Sequence, residues 1–130
     1  MSFLPWNRGA DPNAWSFLED TPKGVTIHLL DEGVDTGAIL LQKRLDIGPP
    51  HTLRSSYALL QSTADQLFRE NWEALRINRI PAKPQVPGGS IHRSADLERF
   101  SDMLTDGWDT PVERIIGIAN QTRGSEEGHQ

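Results

Sequence analysis

The sequence contains no cysteine, which excludes disulfides, cysteine-based zinc sites and thiol nucleophiles together. It has no excess of basic residues either, because 18 Asp and Glu stand against 13 Lys and Arg. Nucleic acids and anionic membrane surfaces attract a basic face, so we expect neither as a partner. No apolar run approaches the ~20 residues that cross a bilayer, and the first residues lack the pattern of a secretory signal. We therefore expect a cytoplasmic protein that forms one ordinary domain or a piece of a larger one.

One stretch, residues 24–42, organises the rest of the chain. Its two ends are apolar and rich in β-branched residues, which predicts strands over 24–31 and 38–46. The connection between them is short enough for an antiparallel pair. Its middle, Asp-Glu-Gly-Val-Asp-Thr-Gly, predicts a tight loop in which Gly33 and Gly37 can take positive φ. A carboxylate on such a loop, between two buried strands, is well placed for chemistry.

Capping residues and periodicity predict two helices beside this strand pair. A short helix runs from an Asp11 N-cap, with Pro12 at the first helical position, to about residue 20. From Thr52 onwards, apolar residues recur every three or four positions. This spacing predicts an amphipathic helix of roughly seven turns that stops before Pro81.

The remaining segments contain less regular structure. Two prolines and a glycine exclude regular structure from residues 1–12, and residues 81–89 form a Pro/Gly-rich linker. A third short strand is expected near Ser90, a short helix begins at Ser94, and Thr110 caps a last helix. Two strands make a marginal sheet, and strands this apolar need cover on both faces or more sheet beside them. Either the long helix alone covers the strand pair and forms the core with it, or further strands of the sheet are missing from this sequence.

Two linked motifs resemble the formyltransferase family, which includes glycinamide ribonucleotide, methionyl-tRNA and sugar-amine formyltransferases. The first motif is a Leu4-Pro5 loop followed by Arg8-Gly9 and Trp15. The second is Gly-Val-Thr-x-His, followed by Asp-x-Gly-x-Asp-x-Gly-x-Ile-Leu-x-Gln, which spans residues 24–42. The resemblance implies an α/β fold: the C-terminal fragment of a formyltransferase-type, Rossmann-like domain. This fragment has an antiparallel strand pair plus helices, and most of the parallel sheet is missing.

Family members move a formyl group from 10-formyltetrahydrofolate to an amine. The resemblance implies that Asp35 and His28 are catalytic and that Arg8 and Gly9 contact the acceptor substrate. It also implies a cofactor-binding loop that lies against the pterin, formed by Asp31, Glu32, Gly33, Val34 and Asp35. The Asn-x-His pair of the family corresponds to a position before Met1. We therefore expect a truncated chain with negligible transferase activity of its own.

The same residues have plainer explanations when the resemblance is set aside. Asp35 would then be a turn former, His28 a core histidine on an apolar strand, and Arg8 a structural residue that closes its loop. Asp31 and Glu32 would be solvated carboxylates. They lack neighbouring metal ligands, so we expect no metal site.

The acceptor and the organisation of the chain are the last expectations. The acidic balance counts against tRNA as the acceptor. The segment after residue 88 resembles formyltransferases that act on small amines, including nucleotide-linked amino sugars, so the resemblance implies an acceptor of that kind. A methionyl-tRNA or glycinamide ribonucleotide formyltransferase fragment, and a deformylase-type relative, stay as alternatives. So does a non-catalytic remnant that binds a protein partner, or a second copy of itself, through exposed strands. We expect residues 1–80 to be the C-terminal part of the catalytic domain and residues 81–130 to be a linker with a short helical extension.

Overall fold

The computed structural model describes residues 1–121, in which two small sheets are covered by helices. The order of elements is β1 (Arg8–Gly9), α1 (Pro12–Leu18), β2 (Lys23–His28), β3 (Ile39–Leu45), α2 (Leu53–Glu70), α3 (Trp72–Arg76) and β4 (Ile91–His92). Three 3₁₀ segments follow, at Ser94–Met103, Gly107–Asp109 and Val112–Arg114, and then a helical turn at 118–121. Residues 122–130, the end of the expected extension, lie outside the described residues. Within 1–121, no helix is both long enough and apolar enough to cross a membrane.

The antiparallel pair of β2 and β3 confirms the predicted strand pair. Ile27 lies opposite Leu41 and Thr26 lies opposite Gln42. Both strands are shorter than predicted, because residues 29–38 form the loop between them. Helix α2 packs on this sheet. The N-terminal segment is bound on the Thr26 and Gln42 side: Gln42 Nε2 donates to the carbonyl oxygen of Leu4 at 2.8 Å. Helix α2 and the N-terminal segment therefore cover more of the strand pair than the sequence led us to expect.

The second sheet pairs β1 with β4 in parallel, with Gly9 opposite His92. The expected third strand is confirmed, but the exclusion of regular structure from residues 1–12 was wrong at Arg8–Gly9. Gly9 has a φ of 89°, and a β-carbon there would lie 2.3 Å from the carbonyl oxygen of His92. Only glycine permits this close approach of two backbones. Its partner is remote in sequence, so local patterns could not indicate it.

Helix α2 begins at the predicted N-cap. The Thr52 side chain accepts a hydrogen bond from the Ser55 N–H, and the Ser55 hydroxyl accepts one from the Thr52 N–H. The predicted single helix of seven turns was wrong, since it is interrupted at Asn71. The side chain of Asn71 donates to the carbonyl oxygen of Leu67, so it competes with the backbone for a helical acceptor.

Helix α1 lies in the middle of the core. Pro12 occupies the first helical position as predicted, but Asp11 adopts a left-handed conformation and makes no side-chain capping bond. The buried apolar cluster joins α1 to β2, α2 and the C-terminal segments; its largest members are Trp15, Phe17, Leu18, Leu53, Phe100 and Ile115. The last predicted helix differs as well. Thr110 and Val112 bond to the backbone of residues 51–53, so regular helix does not begin at Pro111.

Candidate active site

Asp35 lies at the centre of the candidate site, at the tip of the loop between β2 and β3. Its backbone is left-handed, with a φ of 57°. One carboxylate oxygen, Oδ2, accepts a hydrogen bond from the Gly9 N–H at 2.9 Å. The other, Oδ1, lies 3.7 Å from His28 Nε2. The fold therefore brings together three residues that the sequence singled out separately.

His28 ends strand β2 and is held by its other ring nitrogen. Its Nδ1 lies 2.8 Å from the backbone carbonyl oxygen of Leu29. A carbonyl oxygen only accepts hydrogen bonds, so Nδ1 carries a proton and Nε2 faces Asp35. The neutral ring then directs a lone pair at the carboxylate, and the protonated ring directs an N–H at it. The two side chains can therefore share one additional proton, as a proton-transfer site requires.

The loop that presents Asp35 is closed by Asp31. Its Oδ1 accepts hydrogen bonds from the Thr36 hydroxyl at 2.6 Å and from the Gly33 N–H at 2.9 Å. The Thr36 hydroxyl, followed by the Gly33 N–H, holds the pKa of Asp31 below its ordinary value. The expected positive φ at Gly33 and Gly37 was wrong, since neither adopts it. These glycines provide space instead, because a β-carbon on Gly37 would lie 1.6 Å from the carbonyl oxygen of Leu29.

A Thr36→Val chain should show a higher Asp31 pKa than the wild type, because the substitution removes the largest stabiliser of the ionised form. The lowered pKa contributes stability above the ordinary carboxyl range, and that contribution is lost as the pH falls through the folded-state value. A carboxyl ¹³C NMR titration of Asp31 measures the shift. Thr63→Val is the matched control, since the hydroxyl of Thr63 bonds within helix α2. Equal Asp31 pKa values in Thr36→Val and wild type would contradict the assignment.

The other predicted cofactor residues lie on the outside of the same loop. Glu32 and Val34 are exposed, with Val34 at 59%. The neighbouring Leu30 is 92% exposed, and Leu29 is about half exposed. The loop therefore presents apolar side chains to solvent beside the Asp35 carboxylate. Among residues 1–121, no group of three or more His, Asp or Glu side chains could hold a metal ion.

Arg8 approaches the site through Gln85, a residue that sequence reasoning missed. The Nε and Nη2 atoms of Arg8 donate to Gln85 Oε1 at 3.2 and 2.6 Å. The Nε2 atom of Gln85 donates to the backbone carbonyl oxygens of Asp35 and Gly37, at 2.8 and 2.9 Å. A glutamine inside a Pro/Gly-rich segment follows no spacing rule. The only sequence signal was the chemistry of the side chain, because the NH₂ group of a glutamine can donate to two carbonyl oxygens at once.

Comparison with known proteins gives consistent relatives. A methionyl-tRNA formyltransferase from a Synechococcus strain is 37% identical over 115 residues, which cover 88% of this chain and 35% of the relative. The dTDP-4-amino-4,6-dideoxyglucose formyltransferase of Mycobacterium tuberculosis is 32% identical over 98 residues, 75% of this chain and 42% of the relative. The matched part of the chain thus spans less than half the length of each of these curated relatives.

A solved structure is more similar still. The formyltransferase PseJ from Anoxybacillus kamchatkensis, crystallised with UDP-4,6-dideoxy-4-formamido-L-AltNAc and tetrahydrofolate, is 52% identical. It superposes with a TM-score of 0.89 over 91% of this chain and 62% of that one. This confirms the α/β, formyltransferase-type fold, of which the chain matches a part. The family model described as formyl transferase matches residues 1–72, more than half of the sequence. The chain therefore belongs to the formyl transferase family.

Proposed function

We propose that the chain forms the proton-transfer part of a sugar N-formyltransferase site. The reaction moves a formyl group from 10-formyltetrahydrofolate to the amine of a nucleotide-linked amino sugar. The observation that carries the proposal is the Asp35 carboxylate, held between the Gly9 N–H and His28. It occurs in a chain 52% identical to PseJ, whose structure contains a UDP-linked formamido sugar and tetrahydrofolate.

The proposed chemistry gives Asp35 and His28 distinct roles. The amine nitrogen attacks the formyl carbon, and a tetrahedral centre forms with a negative oxygen. Asp35, paired with His28, accepts the proton that the amine loses and returns one to the departing N10 nitrogen of the folate. The carbon–N10 bond then breaks and leaves the formamide. The Gly9 N–H fixes the carboxylate, so its direction is set before substrate binds.

For the cofactor we propose the loop formed by Asp31, Glu32, Gly33, Val34 and Asp35. Both contacts of Asp31 Oδ1 lie inside the loop, so they shape it rather than reach outward. Val34 and Leu30 are exposed and provide apolar surface of the kind a flat heterocycle covers. Folate analogues occur in related structures: the Helicobacter canadensis N-formyltransferase was solved with folinic acid and dTDP-3-aminofucose.

For the acceptor we propose a small nucleotide-linked amine that contacts Arg8 and Gly9. Gln85 engages two of the Arg8 nitrogens, which leaves Nη1 as the group that would reach the substrate. The acidic balance and the 52% identity to PseJ favour a sugar acceptor over tRNA, although methionyl-tRNA formyltransferases are relatives too. We keep the boundary at residues 80/81 and a cytoplasmic location as part of this proposal.

The test is folinic acid binding and formyl transfer by the 130-residue chain. Calorimetry should show saturable binding of folinic acid. Turnover should be at least about 100-fold below that of PseJ assayed beside it, because Asp35 and His28 supply no oxyanion donor, and such donors are worth about 10²–10³ each. Any transfer that mass spectrometry detects should be lost in Asp35→Asn. Asparagine tolerates a left-handed backbone and can still accept from Gly9, so the fold should be kept. Failure to bind folinic acid would overturn the proposed cofactor loop, and full activity in Asp35→Asn would overturn the role of Asp35.

Exposed apolar side chains favour a second candidate, association through the loop surface. Leu29, Leu30 and Val34 are about half exposed or more, and all three lie in the loop of residues 29–38. Such patches mark interaction surfaces. Light scattering over a concentration series should then show self-association that Leu30→Ser weakens. A constant monomer mass would exclude a homo-oligomer.

A further inference from the structure

Gln85 is half-buried in a segment whose other residues, from 81 to 89, are exposed. The segment is anchored on both sides of it. Lys83 exchanges two backbone hydrogen bonds with Ile39, at 2.7 and 2.8 Å, and the Ser90 N–H donates to the carbonyl oxygen of Pro5. The backbone around Gln85 is therefore fixed to strand β3 and to the loop before β1. These anchors direct its side chain at the Asp35 loop.

We propose that Gln85 is a positioning residue for Asp35, which it holds so that the carboxylate stays on Gly9 and beside His28. The inference rests on the proposed catalytic role of Asp35. The Nε2 atom of Gln85 donates two hydrogen bonds, to the carbonyl oxygens of Asp35 and Gly37, the residues on either side of Thr36. A left-handed conformation is unfavourable for a residue with a β-carbon, so Asp35 needs such external support.

The amide can act in only one orientation. Two carbonyl oxygens face Nε2, and the Arg8 guanidinium faces Oε1. A flipped amide would place its oxygen against both carbonyl oxygens and its NH₂ group against a cation. Arg8 therefore selects the orientation in which Gln85 donates to the loop. Arg8, which the sequence assigned to the substrate, also has this structural task.

Replacing Gln85 by glutamate distinguishes the role of its contact with Arg8 from the role of its contacts with the Asp35 loop. Gln85→Glu keeps an oxygen for Arg8 but removes both donors and brings negative charge to two carbonyl oxygens. If Gln85 only anchored the 81–89 segment through Arg8, this variant would behave like the wild type. If Gln85 positions Asp35, the variant frees the loop. Gln61→Glu, the same substitution at an exposed position on helix α2, is the matched control.

The reporter is the Gly9 amide, observed by ¹⁵N NMR in the labelled 130-residue chain. Its proton is bound to the Asp35 carboxylate, so its chemical shift and its hydrogen exchange both report on that hydrogen bond. In Gln85→Glu we expect its hydrogen exchange to accelerate at least about tenfold, the effect of losing a hydrogen bond or two. The chemical shift of the Gly9 amide proton should change as this hydrogen bond is lost, while amides of helix α2 keep their protection. Gln61→Glu should match the wild type in every respect.

A Gly9 amide in Gln85→Glu with the same hydrogen exchange and chemical shift as in the wild type would overturn the proposal. If that variant unfolds and the α2 amides lose protection as well, Gln85→Met decides, because it keeps the length of the side chain without its donors. Global unfolding of both variants would also overturn it, since Gln85 would then serve folding rather than Asp35. The NMR readout needs no folate. Failure of the wild type to bind folinic acid would therefore count against the proposed function and leave the Gln85 result standing.

Discussion

Replacing Gly37 by alanine is expected to lower the free energy of unfolding by about 2–3 kcal/mol and to remove folinic acid binding. The added β-carbon would lie 1.6 Å from the carbonyl oxygen of Leu29 and 2.6 Å from its carbonyl carbon. These are backbone atoms and cannot rotate away as a side chain would. The Leu29 N–H donates to the carbonyl oxygen of Ala38, and the carbonyl oxygen of Gly37 accepts a hydrogen bond from Gln85 Nε2. The loop must therefore open, which moves Asp35 away from Gly9 and His28.

Gly48→Ala is the control for this substitution. No atom lies within 4 Å of a β-carbon built at Gly48. We expect a change within about 0.5 kcal/mol and unchanged folinic acid binding. Urea unfolding followed by circular dichroism gives the free energies, and calorimetry gives the binding. Equal urea midpoints for Gly37→Ala and wild type would show that the loop is not closed as described, and the site built on it would have to be abandoned.

The sequence was informative where structure depends on neighbours along the chain. The β2–β3 pair follows from β-branched residues that flank a turn, and the start of α2 follows from the Thr52 cap. It was uninformative about contacts between remote segments. Gly9 pairs with His92, and Gln85 reaches Asp35, although 50 residues or more separate each pair. No local periodicity encodes such contacts.

In the candidate site, too, the sequence indicated some features and missed others. The resemblance pointed to Asp35 and His28, and the fold places them 3.7 Å apart. It did not indicate that Gly9, expected to contact substrate, donates to Asp35. Gly33 and Gly37 were expected to take positive φ in this loop, and that expectation was wrong. The residue with the left-handed backbone is Asp35 itself, and the glycines make room for Thr36 and Leu29.

A large loss of stability is expected at a core residue of α1. Phe17 is fully buried there and belongs to the same apolar cluster as Val25 of strand β2, the strand that ends at His28. Phe17→Ala is expected to lower the free energy of unfolding by about 4 kcal/mol, because truncation of a buried phenylalanine loses its transfer free energy and leaves a cavity. A domain of this size has about 5–15 kcal/mol in total. Much of its stability would therefore be lost.

Phe68→Ala is the control for Phe17→Ala, because it deletes the same side-chain atoms from a partly exposed site. Phe68 is 45% exposed on helix α2, where its ring contacts Trp72. We expect a loss of about 1 kcal/mol, since much of its surface stays in water in the folded state. Urea unfolding of both variants measures the difference. If the two losses were equal, Phe17 would contribute no more to stability than a half-exposed side chain, and α1 would not be the centre of the core.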